Sequence, residues 1–89
     1  MDKLALPKGK AIQVFWFDSA SMFGWHGTED GHIMRLVSLG YVTKVTDNEL
    51  IITTSVNTTA EQALSPLAIP WGAIRQIVEL PERYDRLET

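Results

Sequence analysis

Apolar residues along this chain recur mainly with a period of two, the mark of β-strands. In "AIQVFWFD" (11–18), Ile12, Val14 and Trp16 alternate with Gln13, Phe15 and Phe17. Both sets are largely apolar, which predicts a strand covered on both faces. "HIMRLVSLGYVTKVT" (32–46) is long for one strand and carries Gly40 near its middle, where a glycine marks a sharp bend of a curling sheet. "TDNE" (46–49) follows, with Asp47-Asn48 suited to a two-residue turn at positive φ. The β-branched "LIITTSV" (50–56) answers as the return strand. Residues 57–66, "NTTAEQALSP", are polar and end in Ser65-Pro66. They read as a connecting loop with room for a helical turn at 60–64. "LAIP" (67–70) is a short strand stopped by Pro70, "WGA" (71–73) a tight turn, and "IRQIVEL" (74–80) a last strand ended by Pro81.

Five strands in this spacing predict a mainly β fold: a single small, strongly bent antiparallel barrel with a long loop after strand 1. Trp16, Tyr41, Ile52 and Ile74 are expected to meet inside it. The expected boundaries are an N-terminal arm at 1–10, the barrel domain at 11–80 and a charged tail at 81–89. With 89 residues, the domain buries only about 60–65% of the surface its unfolded chain exposes. It has no cysteine to cross-link it or to ligate a metal, which suits a reducing, cytoplasmic setting. Small domains often gain stability by associating. "LAIP" and "IRQIVEL" carry little edge charge, so a homo-oligomer formed by edge-strand pairing is expected. No apolar run approaches the roughly 20 residues that span a bilayer, and "MDKLALPKGK" lacks the apolar block of a signal peptide. A soluble protein with no membrane partner follows.

Charge is uneven: +2 over residues 1–10, −4 over 11–80 and −1 over 81–89, giving a net −3. Proteins that neutralise many phosphates of long nucleic acid usually carry a basic excess. The acidic body argues against duplex DNA but leaves room for a small anion held by one or two cations. The body supplies only three of these, Arg35, Lys44 and Arg75. Arg35 and Lys44, nine residues apart, would face opposite ways on a straight strand, a constraint that a bend at Gly40 lifts.

The stretch "FDSASMFGWHG" (17–27) is too polar for a core strand and too aromatic for an ordinary loop. Asp18, Ser19, Ser21 and His26 contain the residue types of a nucleophilic triad, but they crowd together with no nucleophile-elbow pattern. The better reading gives Asp18, Ser19, Ser21 and Gly24 the task of structuring the loop where the strand ends. His26, Glu29, Asp30 and His32 lack the defined spacing of a metal site. No catalytic set, metal or cofactor is therefore expected. Trp25 either plugs an open barrel end or, with His26, contacts a ligand. Trp71 and Arg75 form the other candidate pair, because an arginine beside an aromatic suits phosphate or carboxylate. The plainer role for Arg75 is an ion pair with Glu79, four residues on.

The bent hairpin around Gly40 and the "IPWGAIRQIVEL" ending make the chain resemble the Sm-like small barrels over roughly residues 11–80, in topology and without their RNA-contacting motifs. A second resemblance rests on Val14-Phe15-Trp16-Phe17-Asp18-Ser19, Gly24-Trp25, Val37-Ser38-Leu39-Gly40-Tyr41 and Ile69-Pro70-Trp71-Gly72-Ala73-Ile74. In these runs the chain is similar to small phage and bacterial proteins with a WxDS…GW…IPxGxIxxI pattern. That likeness implies a phage accessory protein acting in the host cytoplasm and carries no activity with it. The function expected is non-enzymatic binding of a small anionic ligand, such as a signalling nucleotide sequestered from a host defence. Trp25, His26, Arg35, Lys44, Trp71 and Arg75 are the candidate contacts, in pockets between subunits. The alternative is a module that binds and inhibits a host protein through the 18–31 loop. Single-stranded RNA binding is a third reading, carried by fold analogy alone.

Overall fold

A computed structural model describes residues 6–20 and 32–84, without the side chains of Ser19, Ala20 and His32. Among these residues there are seven strands: β1 (Lys10–Ala20), β2 (His32–Val45), β3 (Glu49–Thr53), β4 (Val56–Asn57), β5 (Gln62–Ala63), β6 (Leu67–Pro70) and β7 (Ile74–Arg83). Five of them form one antiparallel sheet in the order β6-β3-β2-β1-β7, and β4 and β5 pair separately. The mainly β class and the five-stranded sheet agree with the periodicity. A closed barrel is not found. β6 and β7 are the two ends of the sheet, joined through a 3-10 turn at Trp71–Ala73 and not by a ladder.

Local differences from the expected elements have physical causes. β7 runs through Pro81 because its outer side has no partner to receive an N–H. The β1–β7 register also shifts between Lys10 and Ile12, beside that proline. The turn after β2 does not use positive φ: among the described non-glycine residues only Glu61 and Ser65 do. Instead the Thr46 hydroxyl accepts the N–H groups of Asn48 (3.3 Å) and Glu49 (3.0 Å), a side-chain turn that needs no left-handed residue. The expected loop 57–66 contains a small hairpin and no helical turn. It is turned by Asn57, whose Oδ1 accepts from Thr59 and Ala60. The hairpin is tied down where the Thr53 hydroxyl donates to the Leu64 carbonyl at 2.6 Å.

Alternation decides which face of the sheet is core. β1 turns Ile12, Val14 and Trp16 inward, where they meet Val42, Leu50, Ile52, Ile69, Trp71 and Ile74. Tyr41 does not join them. The β1–β2 register sets Gly40 opposite Ile12 and Tyr41 opposite Ala11, so Tyr41 lies on the outer face, edge-on to Tyr84 at 5.7 Å. Gly40 is required for close approach. A Cβ there would sit 2.7 Å from the Thr53 carbonyl oxygen, at the point where β2 begins to pair with β3. The described part of the N-terminal arm joins the sheet: Leu6 packs on the core, and Gly9 donates to the Val42 carbonyl at 2.8 Å.

Beyond the sheet body, β1 and β2 continue alone. Pairing of β1 with β7 ends at Trp16 and pairing of β2 with β3 starts at Tyr41, yet β1 and β2 remain paired out to Ala20 and His32. The result is a two-stranded ribbon that contributes to an elongated shape of 54 × 27 × 21 Å.

Candidate functional site

The ribbon and β7 bring two of the predicted cations to one ring. On β1 the residue facing Arg35 is Phe17, on the outer face because its neighbour Trp16 points into the core. β7 enters from the other side. Ile74 is the last residue paired with Trp16, which leaves Arg75 on the outer side of a register shift. The Arg35 guanidinium carbon lies 5.9 Å from the Phe17 ring centre and that of Arg75 lies 4.8 Å from it. The two cations are therefore within about 11 Å of each other, each in cation–π range of the same ring. Arg75 is held further by its own backbone. Nη1 donates to the Gly72 carbonyl at 2.9 Å and to that of Ile74 at 3.3 Å. It does not take up the expected ion pair with Glu79, and neither arginine has a carboxylate partner among the described residues.

Other predicted residues lie elsewhere. Trp71 is buried, and its indole N–H donates to the Thr46 carbonyl at 2.8 Å. Its position after Pro70 swings it under the β2–β3 turn, so it serves as core and not as a stacking surface. Lys44 is exposed at the far end of β2, separated from Arg35 by nine residues, about 30 Å of straight strand. Asp18 and Ser19 do not end the strand. β1 carries both into the ribbon, opposite Met34 and Ile33, and Asp18 alternates away from Phe17 and Arg35. Ser21, Gly24, Trp25 and His26 lie outside the described residues, so of the 18–31 loop only residues 18–20, in β1, are described. No group of three or more His, Asp or Glu among the described residues is placed to hold a metal. No helix among them is long and apolar enough to cross a membrane.

Phe17 is the member of this site that reading along the chain misses. The only signal for it was its alternation with Trp16, which becomes informative once the register with Arg35 is known. The arginine pair sits on an open face. Two hollows among the described residues, about 260 and 360 Å³, are lined by other residues, with no arginine or lysine in either. Beside the pair runs a largely apolar strip: Val37 and Leu39 are each 56% exposed, Phe15 lies half-buried against Val37, and Gln13 separates Leu39 from half-buried Val78.

Comparison with protein-family models, curated proteins and solved structures finds no match to this chain.

Proposed function

We propose that this protein is a non-enzymatic binder of a small phosphate-bearing ligand, gripped by Arg35 and Arg75 across the ring of Phe17. The observation that carries the reading is two guanidinium groups on one aromatic ring, without a described carboxylate partner, in a chain of net charge −3. Guanidinium forks bind two oxygens at once, and a ring that already orients both lowers the cost of ordering them. Each charge-assisted hydrogen bond contributes about 1.5–3 kcal/mol, so two arginines alone hold a bare phosphate at roughly millimolar affinity. A tighter ligand needs an apolar or planar part to lie on the Phe15–Val37 strip, and a nucleotide has both features. Such a protein would work by sequestration, the role in blocking host defence that the phage-like sequence pattern implies. Exposed Ile33 and Met34 on the ribbon favour, as a second reading, a partner protein seated there and on the adjoining 18–31 loop.

Titration calorimetry with pyrophosphate, a cyclic dinucleotide and unphosphorylated adenosine separates the contributions. Pyrophosphate is expected to bind weakly, the dinucleotide more tightly and adenosine not at all, with Arg35→Ala and Arg75→Ala each removing most of the heat. If neither phosphate compound binds at about 1 mM, corresponding to −4.1 kcal/mol, the reading fails.

A further inference from the structure

The outer face of the sheet carries two arginines at one end, the carboxylate of Glu82 at the other and a largely apolar middle. Arg35 and Arg75 occupy the ribbon end. At the other end, a hollow of about 360 Å³ is lined by Ala11, Leu39, Tyr41, Leu80 and the exposed carboxylate residue Glu82, among others. Between them lie Phe15, Val37, Leu39, Val78 and Leu80, exposed or half-buried although apolar, with the amides of Gln13 and Gln76 set among them. Lys10 and Arg83, at the same end as Glu82, stand opposite each other in the β1–β7 register and alternate with Ala11 and Glu82, toward the other face of the sheet, and an Arg83 Nη donates to the Lys8 carbonyl. Contiguous exposed apolar area of this kind marks an interaction surface.

We infer that this face binds a second copy of the chain, sheet on sheet, about a two-fold axis running across the strands. Charge selects that axis. A two-fold along the strands would lay β7 over the partner's β2 in the same direction and set Arg75 on the partner's Arg35, a juxtaposition of like charges. A two-fold across the strands reverses each strand over its own copy. It brings Arg75 toward the partner's Glu82 and stacks the apolar middle on itself, and the contact is isologous and closes as a dimer. Sheets pack in this way about 10 Å apart with strands nearly aligned.

The area suffices for a reversible contact. Three strands about 4.8 Å apart, over seven or eight residues of about 3.3 Å, cover roughly 350 Å² in projection. Side-chain relief raises this, and two such faces reach about 1,000 Å², the lower bound for a specific interface. The sheet edges offer a second copy less. β6 is four residues long and ends in Pro70, while β7 runs past the IRQIVEL segment through Pro81, Glu82 and Arg83, features that disfavour edge pairing. The dimer needs no ligand, but it covers the Phe15–Val37 strip that the anion reading gives to the ligand's planar part, so a tightly bound nucleotide would compete with it for that strip while pyrophosphate would not, although both readings use Arg75.

Sedimentation velocity over a concentration series of the full chain tests it. The wild type is expected to dimerise with a micromolar Kd. Val37→Glu, at a residue already exposed, is expected to weaken dimerisation at least tenfold while leaving the circular dichroism spectrum unchanged. Arg75→Glu and Glu82→Arg singly are each expected to weaken it severalfold, and the charge-swapped double variant to restore it to within about threefold of wild type. A wild-type monomer at about 100 μM overturns the inference. So does an assembly indifferent to Val37→Glu, or a swap that fails to rescue two folded single variants.

Discussion

Replacing Gly40 by alanine tests the packing that bends the sheet. The added methyl would stand 2.7 Å from the Thr53 carbonyl oxygen, 3.2 Å from its carbonyl carbon and 3.4 Å from the Ile52 Cβ. The first two are backbone atoms, so no side-chain rotation relieves the clash. β3 must move away from β2 at the first residue pair they share, Tyr41 with Thr53. Thr53 also anchors the small hairpin through the Leu64 carbonyl, so the displacement reaches 56–63. Overpacking of this kind costs about 1–3 kcal/mol, and a weakened ladder hydrogen bond adds about 1 kcal/mol. The loss of glycine's freedom in the unfolded chain returns about 0.4–1 kcal/mol. The net expectation is a destabilisation of about 2 kcal/mol, against a total on the order of 5–10 kcal/mol for a chain of this size. In a domain this small that corresponds to a fall in Tm of roughly 8–16 °C. Urea unfolding followed by tryptophan fluorescence, with calorimetry for Tm, measures it. Gly72 is the internal control: a Cβ there meets nothing within 4 Å, so Gly72→Ala should be neutral or stabilising by up to about 1 kcal/mol. If Gly40→Ala lies within about 0.5 kcal/mol of wild type, a spread typical of unremarkable surface changes, the close approach does not govern the bend.

Two further substitutions probe the hairpin and the arginine pair. Thr53→Val removes the hydroxyl that meets the Leu64 and Ser55 carbonyls. It should cost about 1–2 kcal/mol and raise amide exchange across 56–64 above that of β1, whereas uniform protection would show that the hairpin is held by other contacts. Phe17→Leu keeps a large apolar side chain but deprives both guanidinium groups of their ring, each contact being worth about 0.5–1 kcal/mol at an exposed site. Pyrophosphate affinity should fall about three- to tenfold, and loss of the two contacts, about 1–2 kcal/mol together, should lower Tm by roughly 4–16 °C; an unchanged affinity would mean that the ring does not position the arginines.

Much of the strand content was legible along the chain because it depends on near neighbours. The alternation of Ile12, Val14 and Trp16, the stop at Pro70, the turn at Trp71–Ala73 and the apolar run from Ile74 each follow from side-chain period or backbone restriction. Gly40 could be named as a bend for the same reason, although only the nearness of Thr53 shows why no other residue fits. Contacts between distant segments were not legible. Trp71 reads as an exposed aromatic until β3 and β6 pair and place the Thr46 carbonyl over its indole nitrogen. Tyr41 reads as core until register with β1 turns it outward. The grouping of Arg35, Phe17 and Arg75 depends on two independent registers, β1 with β2 and β1 with β7. A slip of one residue in either would put a side chain on the opposite face. Local pattern thus determined which segments are strands. Strand order and register, set by how the inward residues of all five strands fill one core, decided which side chains meet.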